Sequence, residues 1–271
     1  MFLKGTRMYR KFFQAALAIL FLSVSGIAYA GLDLERLSAD DIKMADEVMA
    51  KLDPLIKERQ DKGTAPVIVF GDLYRVLDVP QETFVKKFLQ LDGKKLGIKI
   101  PYRGYIEPGT NLVEIKNQVV GDPASGKGKV RVIPRQYLPE EVYQRFTKMN
   151  RAMKRDIGRT LFVDSGYRSG AYQLYLFLSY LKKHNYSIRE TARFVALPGY
   201  SEHGSPAWQA IDFINIDGVN EDSPGAFVNL PEYKWLVKHA AVFGFVLSYP
   251  EGNDSGITFE PWHWRCENSS R

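Results

Sequence analysis

The chain has 271 residues, 45% hydrophobic and 25% charged, an ordinary globular composition able to bury a sizeable core without disulfide staples. Its formal charge is +6, but positions 1–30 hold four basic residues and no acid, which leaves 33 basic against 31 acidic groups beyond them. That balance gives no reason to expect a nucleic-acid partner, and a lone cysteine, Cys266, rules out an intramolecular disulfide.

Residues 1–30 have the layout of a secretory signal. Lys4, Arg7, Arg10 and Lys11 form a positive start, an apolar stretch runs from Phe12 to Ala28, and Ala28-Tyr29-Ala30 supplies a small-x-small cleavage site. Cleavage after Ala30 is the expectation. An uncleaved anchor is the alternative, and would be the chain's one membrane contact, because the apolar run is nearly long enough to span a bilayer. Either way the remainder is expected outside the cytoplasm, in the periplasm or cell envelope.

Residues 39–60 read as a helix, with Ser38 and Asp40 as caps and Ile42, Ala45, Val48, Met49 and Leu52 at helical spacing. Pro54 is expected to bend or end its first part. Val67-Ile-Val-Phe70 is a strand candidate, 80–91 a second helix, and 97–133 a series of short strands and turns among Gly and Pro. Asp122 to Lys129 has the composition of a loop. From Tyr137 a helix runs to about Ile157, with Pro139, Glu140 and Glu141 in its first turn. A strand at 160–164, a turn at 165–170 and a helix at 171–184 follow. Strands are expected at 211–216, 245–249 and 257–259. A helix at 231–243 has Tyr233, Leu236, Val237, Ala240 and Ala241 on one face. Helices and strands alternate without a βαβ repeat, so the fold class is α+β: a small antiparallel sheet flanked by helices, preceded by a mixed N-terminal extension.

Four histidines are present: His184, His203, His239 and His263. Two segments combine histidine with acids. His203 follows Glu202 in a Gly/Ser/Pro loop, and Asp212 sits nine positions later between Ile211 and Phe213, where a carboxylate is costly to bury unless paired or bound to metal. Glu260-Pro-Trp-His263 places an acid and a histidine three residues apart. On spacing alone, metal binding competes with a plain structure in which His203 is a loop residue, Asp212 caps or pairs locally and His263 is packed. In a straight strand residues 260 and 263 would point to opposite faces, so a shared metal requires a bend there. Cys266 is read as a small hydrophobe or free thiol rather than a fourth ligand, since a catalytic zinc keeps that position for water. His184 and His239, each beside lysine near a helix end, are read as surface residues.

Three motifs in order, Ser165-Gly-Tyr-Arg168, Ser201-x-His203 with Ala210-Ile-Asp212, and Glu260-x-Trp-His263, resemble the VanY-type D-alanyl-D-alanine carboxypeptidases, zinc peptidases related to VanX dipeptidases and phage L-alanyl-D-glutamate endopeptidases. The resemblance covers about residues 131–271. It implies zinc held by His203, Asp212 and His263, Glu260 as general base and then acid, and Arg168 binding substrate and supporting the developing oxyanion. It also implies that Gln173 and Ser201 contact substrate, here peptidoglycan stem peptides. The implied organisation is a signal at 1–30, an extension of unassigned role at 31–130 and a zinc peptidase domain at 131–271. Eight residues separate His203 from Asp212 where the family usually has six, so the Gly204–Gln209 stretch carries an apparent insertion. It makes Trp208 a candidate pocket wall, with Asp217 a weaker substitute for Asp212. The same residues would serve an L,D-carboxypeptidase or an endopeptidase, and relatives of this fold include non-catalytic wall-binding domains.

Overall fold

The computed structural model describes residues 31–109, 111–255 and 257–267. The signal reading falls on residues 1–30, outside the described residues. In chain order the elements are α1 (Ala39–Asp61), α2 (Phe70–Tyr74), α3 (Val79–Leu89), β1 (Leu112–Ile115), β2 (Val119–Gly121), β3 (Val130–Val132), β4 (Gln136–Pro139), α4 (Glu140–Ile157), β5 (Leu161–Ser165), α5 (Gly170–Leu181), α6 (Ile188–Thr191), β6 (Trp208–Asn215), α7 (Pro224–Phe227), α8 (Pro231–His239), β7 (Phe245–Leu247) and β8 (His263–Glu267). The class is α+β. The main sheet is antiparallel with strand order β5-β6-β8-β7; β1 pairs with β4 and β2 with β3 in two smaller ribbons.

The main sheet is two-faced because side chains alternate along each strand. Leu161 and Val163 of β5, Ile211 and Phe213 of β6, Trp264 and Cys266 of β8 and Phe245 of β7 form one apolar cluster with Val142, Phe146, Met149 and Met153 of α4 and Trp235, Leu236 and Ala240 of α8. The residues between them, Asp164, Asp212 and His263, therefore occupy the opposite face. That parity places the candidate chemistry on a sheet whose other side is locked under two helices.

A second core lies under the N-terminal helices. Ala45, Val48, Leu52 and Ile56 of α1 and Phe84, Val85 and Phe88 of α3 pack with Ala171, Leu174, Phe177, Leu178 and Leu181 of α5. Residue 130 therefore marks no break in packing. The extension and α5 share one hydrophobic core, and the described residues from Leu32 onward form one compact unit.

Several local expectations change. Pro54 lies inside α1, which continues to Asp61 behind a Ser38 cap that accepts from the Asp41 amide at 3.1 Å. The apolar run at 67–70 is no strand: Ala65–Val67 forms a 3-10 turn and Phe70 opens α2. Ile68 is buried against the helices while Val69 is exposed, and among the described residues the segment pairs with no strand. Residues 257–259 are not a strand either; the last strand begins at His263. On α8 the buried face carries Trp235 and Leu236, whereas Val237 is 59% exposed.

Candidate active site

Asp212 and His263 lie directly opposite each other on β6 and β8, which brings their side chains together on one face. His203 reaches the same point from a one-turn 3-10 segment, Glu202–Gly204, capped by the Ser201 hydroxyl. His203 Nε2 stands 3.1 Å from Asp212 Oδ2, and His263 Nδ1 stands 2.8 Å from Asp212 Oδ1. All three residues are buried, with one donor atom from each lying within 4.8 Å of the others. The chain does bend at Pro261–Trp262: the His263 amide donates to the Glu260 carbonyl at 3.1 Å, and a Glu260 carboxylate oxygen comes within 3.9 Å of His263 Nδ1.

Each imidazole spends its far nitrogen elsewhere. His203 Nδ1 bonds the Gly166 carbonyl at 2.7 Å, and His263 Nε2 bonds Glu202 Oε2 at 3.0 Å. With those nitrogens donating, the near ones would present lone pairs to a metal beside Asp212, His263 Nδ1 once it gives up the proton it shares with Asp212. This fixed-tautomer arrangement is the one metal-binding histidines use. Two imidazoles and a carboxylate with open space beside them suit zinc in a catalytic setting. The donor set therefore fits the metal that the sequence motifs imply.

The electrostatics are tightly coupled. Burial favours a neutral Asp212, but the His203 and His263 rings outweigh it and hold the carboxyl far below the ordinary range. Burial, reinforced by Arg168, lowers His203 to about 4. Burial opposes charge on His263 as well, yet Asp212 and Glu202 raise it to about 10. Burial raises the Glu260 carboxyl to about 7, with Asp212 assisting and His263 and Arg168 opposing. An acid poised near neutrality is suited to taking and returning a proton.

Arg168, Gln173, Ser201 and Glu260 line one cavity of about 240 Å³ together with His203, Asp212 and His263. Arg168 is half-buried; its amide donates to the His203 carbonyl at 2.9 Å, and its Nε is buried without a hydrogen-bond partner. Gln173 donates Nε2 to the Ala196 carbonyl at 2.7 Å, leaving a buried Oε1 with no partner. A second, larger cavity of about 870 Å³ adjoins the first through Arg168, Asp212 and Glu221, with Ala65, Pro66 and Asp122 from the extension in its wall.

Trp208 does not line the small cavity. The apparent insertion is taken up by a turn ahead of β6, and the indole lies under the Arg103 guanidinium at 4.1 Å. Asp217 stays apart from the donor cluster and accepts from Asn215 Nδ2 at 3.3 Å. Cys266 is buried in the apolar core behind the sheet. His239 is exposed; His184 is half-buried and stacks on Phe194 at 4.5 Å.

Glu202 and Arg103 are the important residues that sequence reasoning left without a role. Glu202 is 1% exposed and bonds His263, Ser248 and Arg103. Its position beside His203 was a local signal; nothing local marks Arg103, 99 positions away.

The D-alanyl-D-alanine carboxypeptidase family VanY matches residues 135–268. The chain is 32% identical over 136 residues to a D-alanyl-D-alanine carboxypeptidase of Enterococcus faecium, covering 48% of this chain and 37% of that protein. It is 32% identical over 139 residues to the bifunctional D-Ala-D-Ala dipeptidase and carboxypeptidase VanXYC of Enterococcus gallinarum, covering 48% of this chain and 66% of the relative. The chain thus spans little more than a third of the first relative's length. Among solved structures, the LdcB LD-carboxypeptidase is similar at 26% identity and a TM-score of 0.45, over 63% of this chain and 76% of that one.

Proposed function

We propose, from the match of residues 135–268 to the VanY family, that the protein is a zinc-dependent D,D-carboxypeptidase that removes the terminal D-alanine from peptidoglycan stem peptides. The observation that carries the reading is the meeting of His203, Asp212 and His263 within 4.8 Å, with Glu260 3.9 Å from His263. These three side chains would hold the metal. Zinc supplies, when bound, a water of lowered pKa and a Lewis acid for the scissile carbonyl.

The remaining chemistry belongs to the chain. Glu260, raised to about 7, accepts a proton and returns it to the leaving amine. Arg168 lines both cavities, and its guanidinium is a fork suited to the carboxylate at the end of a D-alanyl substrate. The free Gln173 Oε1 accepts from an N–H of the bound peptide. Ser201 uses its hydroxyl to cap the His203 turn, accepting from the His203 amide at 3.3 Å, and stands on the same cavity wall. The signal-like layout of residues 1–30 supports export to the periplasm or cell envelope, where these polymers lie.

The test is incubation of the full chain with zinc and purified stem pentapeptides, read by mass spectrometry. Loss of one D-alanine is expected, and Glu260→Gln should slow it by about 10²–10⁴-fold. Loss of a tetrapeptide's terminal residue would shift the reading to an L,D-carboxypeptidase, and internal cleavage to an endopeptidase. No product, with wild type and Glu260→Gln alike, would leave a wall-binding domain.

A further inference from the structure

The segment at 97–109 precedes the part of the chain that VanY matches, yet it runs across the candidate site. The Arg103 amide donates to the Gly199 carbonyl at 2.7 Å, and the Ile106 amide donates to the Gly204 carbonyl at 2.9 Å, so two strap hydrogen bonds bracket the His203 turn. The Tyr167 hydroxyl donates to the Ile106 carbonyl at 2.6 Å. Rings seat the strap on glycines. Tyr102 lies so close to Gly199 that a Cβ there would collide with it, and a Cβ at Gly170 would stand 2.7 Å from the Tyr105 ring.

Arg103 points inward from this strap. Its guanidinium pairs with Glu202 Oε1 and lies over the Trp208 ring, with only 12% of its side chain exposed. The other Glu202 oxygen accepts from the Ser248 hydroxyl at 2.5 Å and from His263 Nε2 at 3.0 Å. A carboxylate 1% exposed is costly unless a fixed cation and hydrogen bonds compensate it, and Arg103 is that cation.

We propose that Arg103 is a positioning residue: through Glu202 it holds the His263 ring in the orientation and tautomer that leave Nδ1 free for the metal. The N-terminal extension thereby supplies part of the support of a site whose ligands all lie in the C-terminal half. The proposal rests on His203, Asp212 and His263 being zinc ligands.

The experiment is zinc affinity of the full chain by chelator competition, for wild type, Arg103→Ala, Arg103→Lys, Glu202→Gln and the double variant Arg103→Ala/Glu202→Gln. Removing an outer partner of a ligating histidine weakens metal binding by about 10–100-fold, so each single loss should weaken zinc at least about tenfold. Arg103→Lys, which keeps the charge but loses the fork, should recover part of it. Because both act along one path, the double variant should bind little worse than either single one. Phe88→Ala, which loosens the core shared by α1, α3 and α5 and touches neither Arg103 nor Glu202, should lower the melting temperature without moving zinc affinity. If Arg103→Ala fails to fold, Arg103→Lys and Glu202→Gln still carry the comparison. Unchanged affinity in these variants, or losses that add in full, would overturn the proposal alone. A wild-type chain that holds no zinc would overturn the ligand assignment and the proposal with it.

Discussion

Phe88→Ala tests whether the extension and the catalytic region fold as one. Phe88 is 1% exposed on α3, and its ring meets Phe84 at 5.4 Å and Phe177 of α5 at 6.1 Å. The change removes the ring's transfer free energy, leaves a cavity between two helices that are far apart in the chain and breaks two ring pairs. Truncating a buried phenylalanine costs about 3–5 kcal/mol. Loss of the aromatic pairs, about 0.5–1.5 kcal/mol each, places this site toward the upper end. At about 2–4 °C per kcal/mol for a domain of this size, the melting temperature should fall by about 8–20 °C. Differential scanning calorimetry of the full chain reads it, with and without zinc. One transition should move as a whole, and zinc at 100 times its dissociation constant should raise its stability by about 2.7 kcal/mol, although the cavity lies in a core that holds none of the metal ligands. Two transitions, with the zinc-sensitive one unmoved by Phe88→Ala, would refute the shared-core reasoning.

Arg168→Lys keeps the charge but loses the fork; a lost hydrogen bond to a charged group is worth about 1.5–3 kcal/mol, so kcat/KM on a D-alanyl peptide should fall at least about tenfold. Equal kinetics would remove Arg168 from carboxylate recognition. Chelation should abolish hydrolysis and added zinc should restore it; activity that survives exhaustive dialysis against a strong chelator would contradict the metal reading. Burial raises the Cys266 thiol to about 11, so the folded protein should resist alkylation at pH 8 and react only in denaturant. By linkage its contribution to stability is complete below the pKa of an unfolded thiol and is lost as pH rises toward 11, which pH-dependent melting of wild type against Cys266→Ala would show as a narrowing gap.

The clearest sequence signals were those with unambiguous period and composition. The run around Ile211 to Ile214 is strand-like in every respect, and a carboxylate set inside it announced an unusual environment for Asp212. Residues 140–157 carry acids at one end and bases at the other, and α4 follows them closely. The misread places share a cause: short apolar runs do not reveal their partners. Val67 to Phe70 has strand composition, but among the described residues no strand offers it a ladder, so helical turns take up the Ile68 amide and the Val69 carbonyl and Ser169 takes up the Ile68 carbonyl. His263 to Glu267 alternates inward Trp264 and Cys266 with outward residues over five positions, too few for the period to stand out from the preceding loop. The bend that turns Glu260 toward His263 depends on the path of 261–262 and was visible only as a requirement. Arg103 was illegible for a different reason. Its partner lies 99 residues away, and nothing near it in sequence distinguishes it from a surface arginine.

The ring-on-glycine seats of Tyr102 and Tyr105 bear on how such a chain can change over time. Gly199 and Gly170 lie within the segment that relatives share, while the tyrosines that make a side chain intolerable there come from the segment they need not share. A homologue lacking the strap has no steric reason to keep Gly170, whereas Gly199, at a φ of +84°, favours glycine with or without the ring of Tyr102. Gly170 and Tyr105 should therefore come and go together, a correlated pattern that would tell, from sequences alone, which relatives wear the strap.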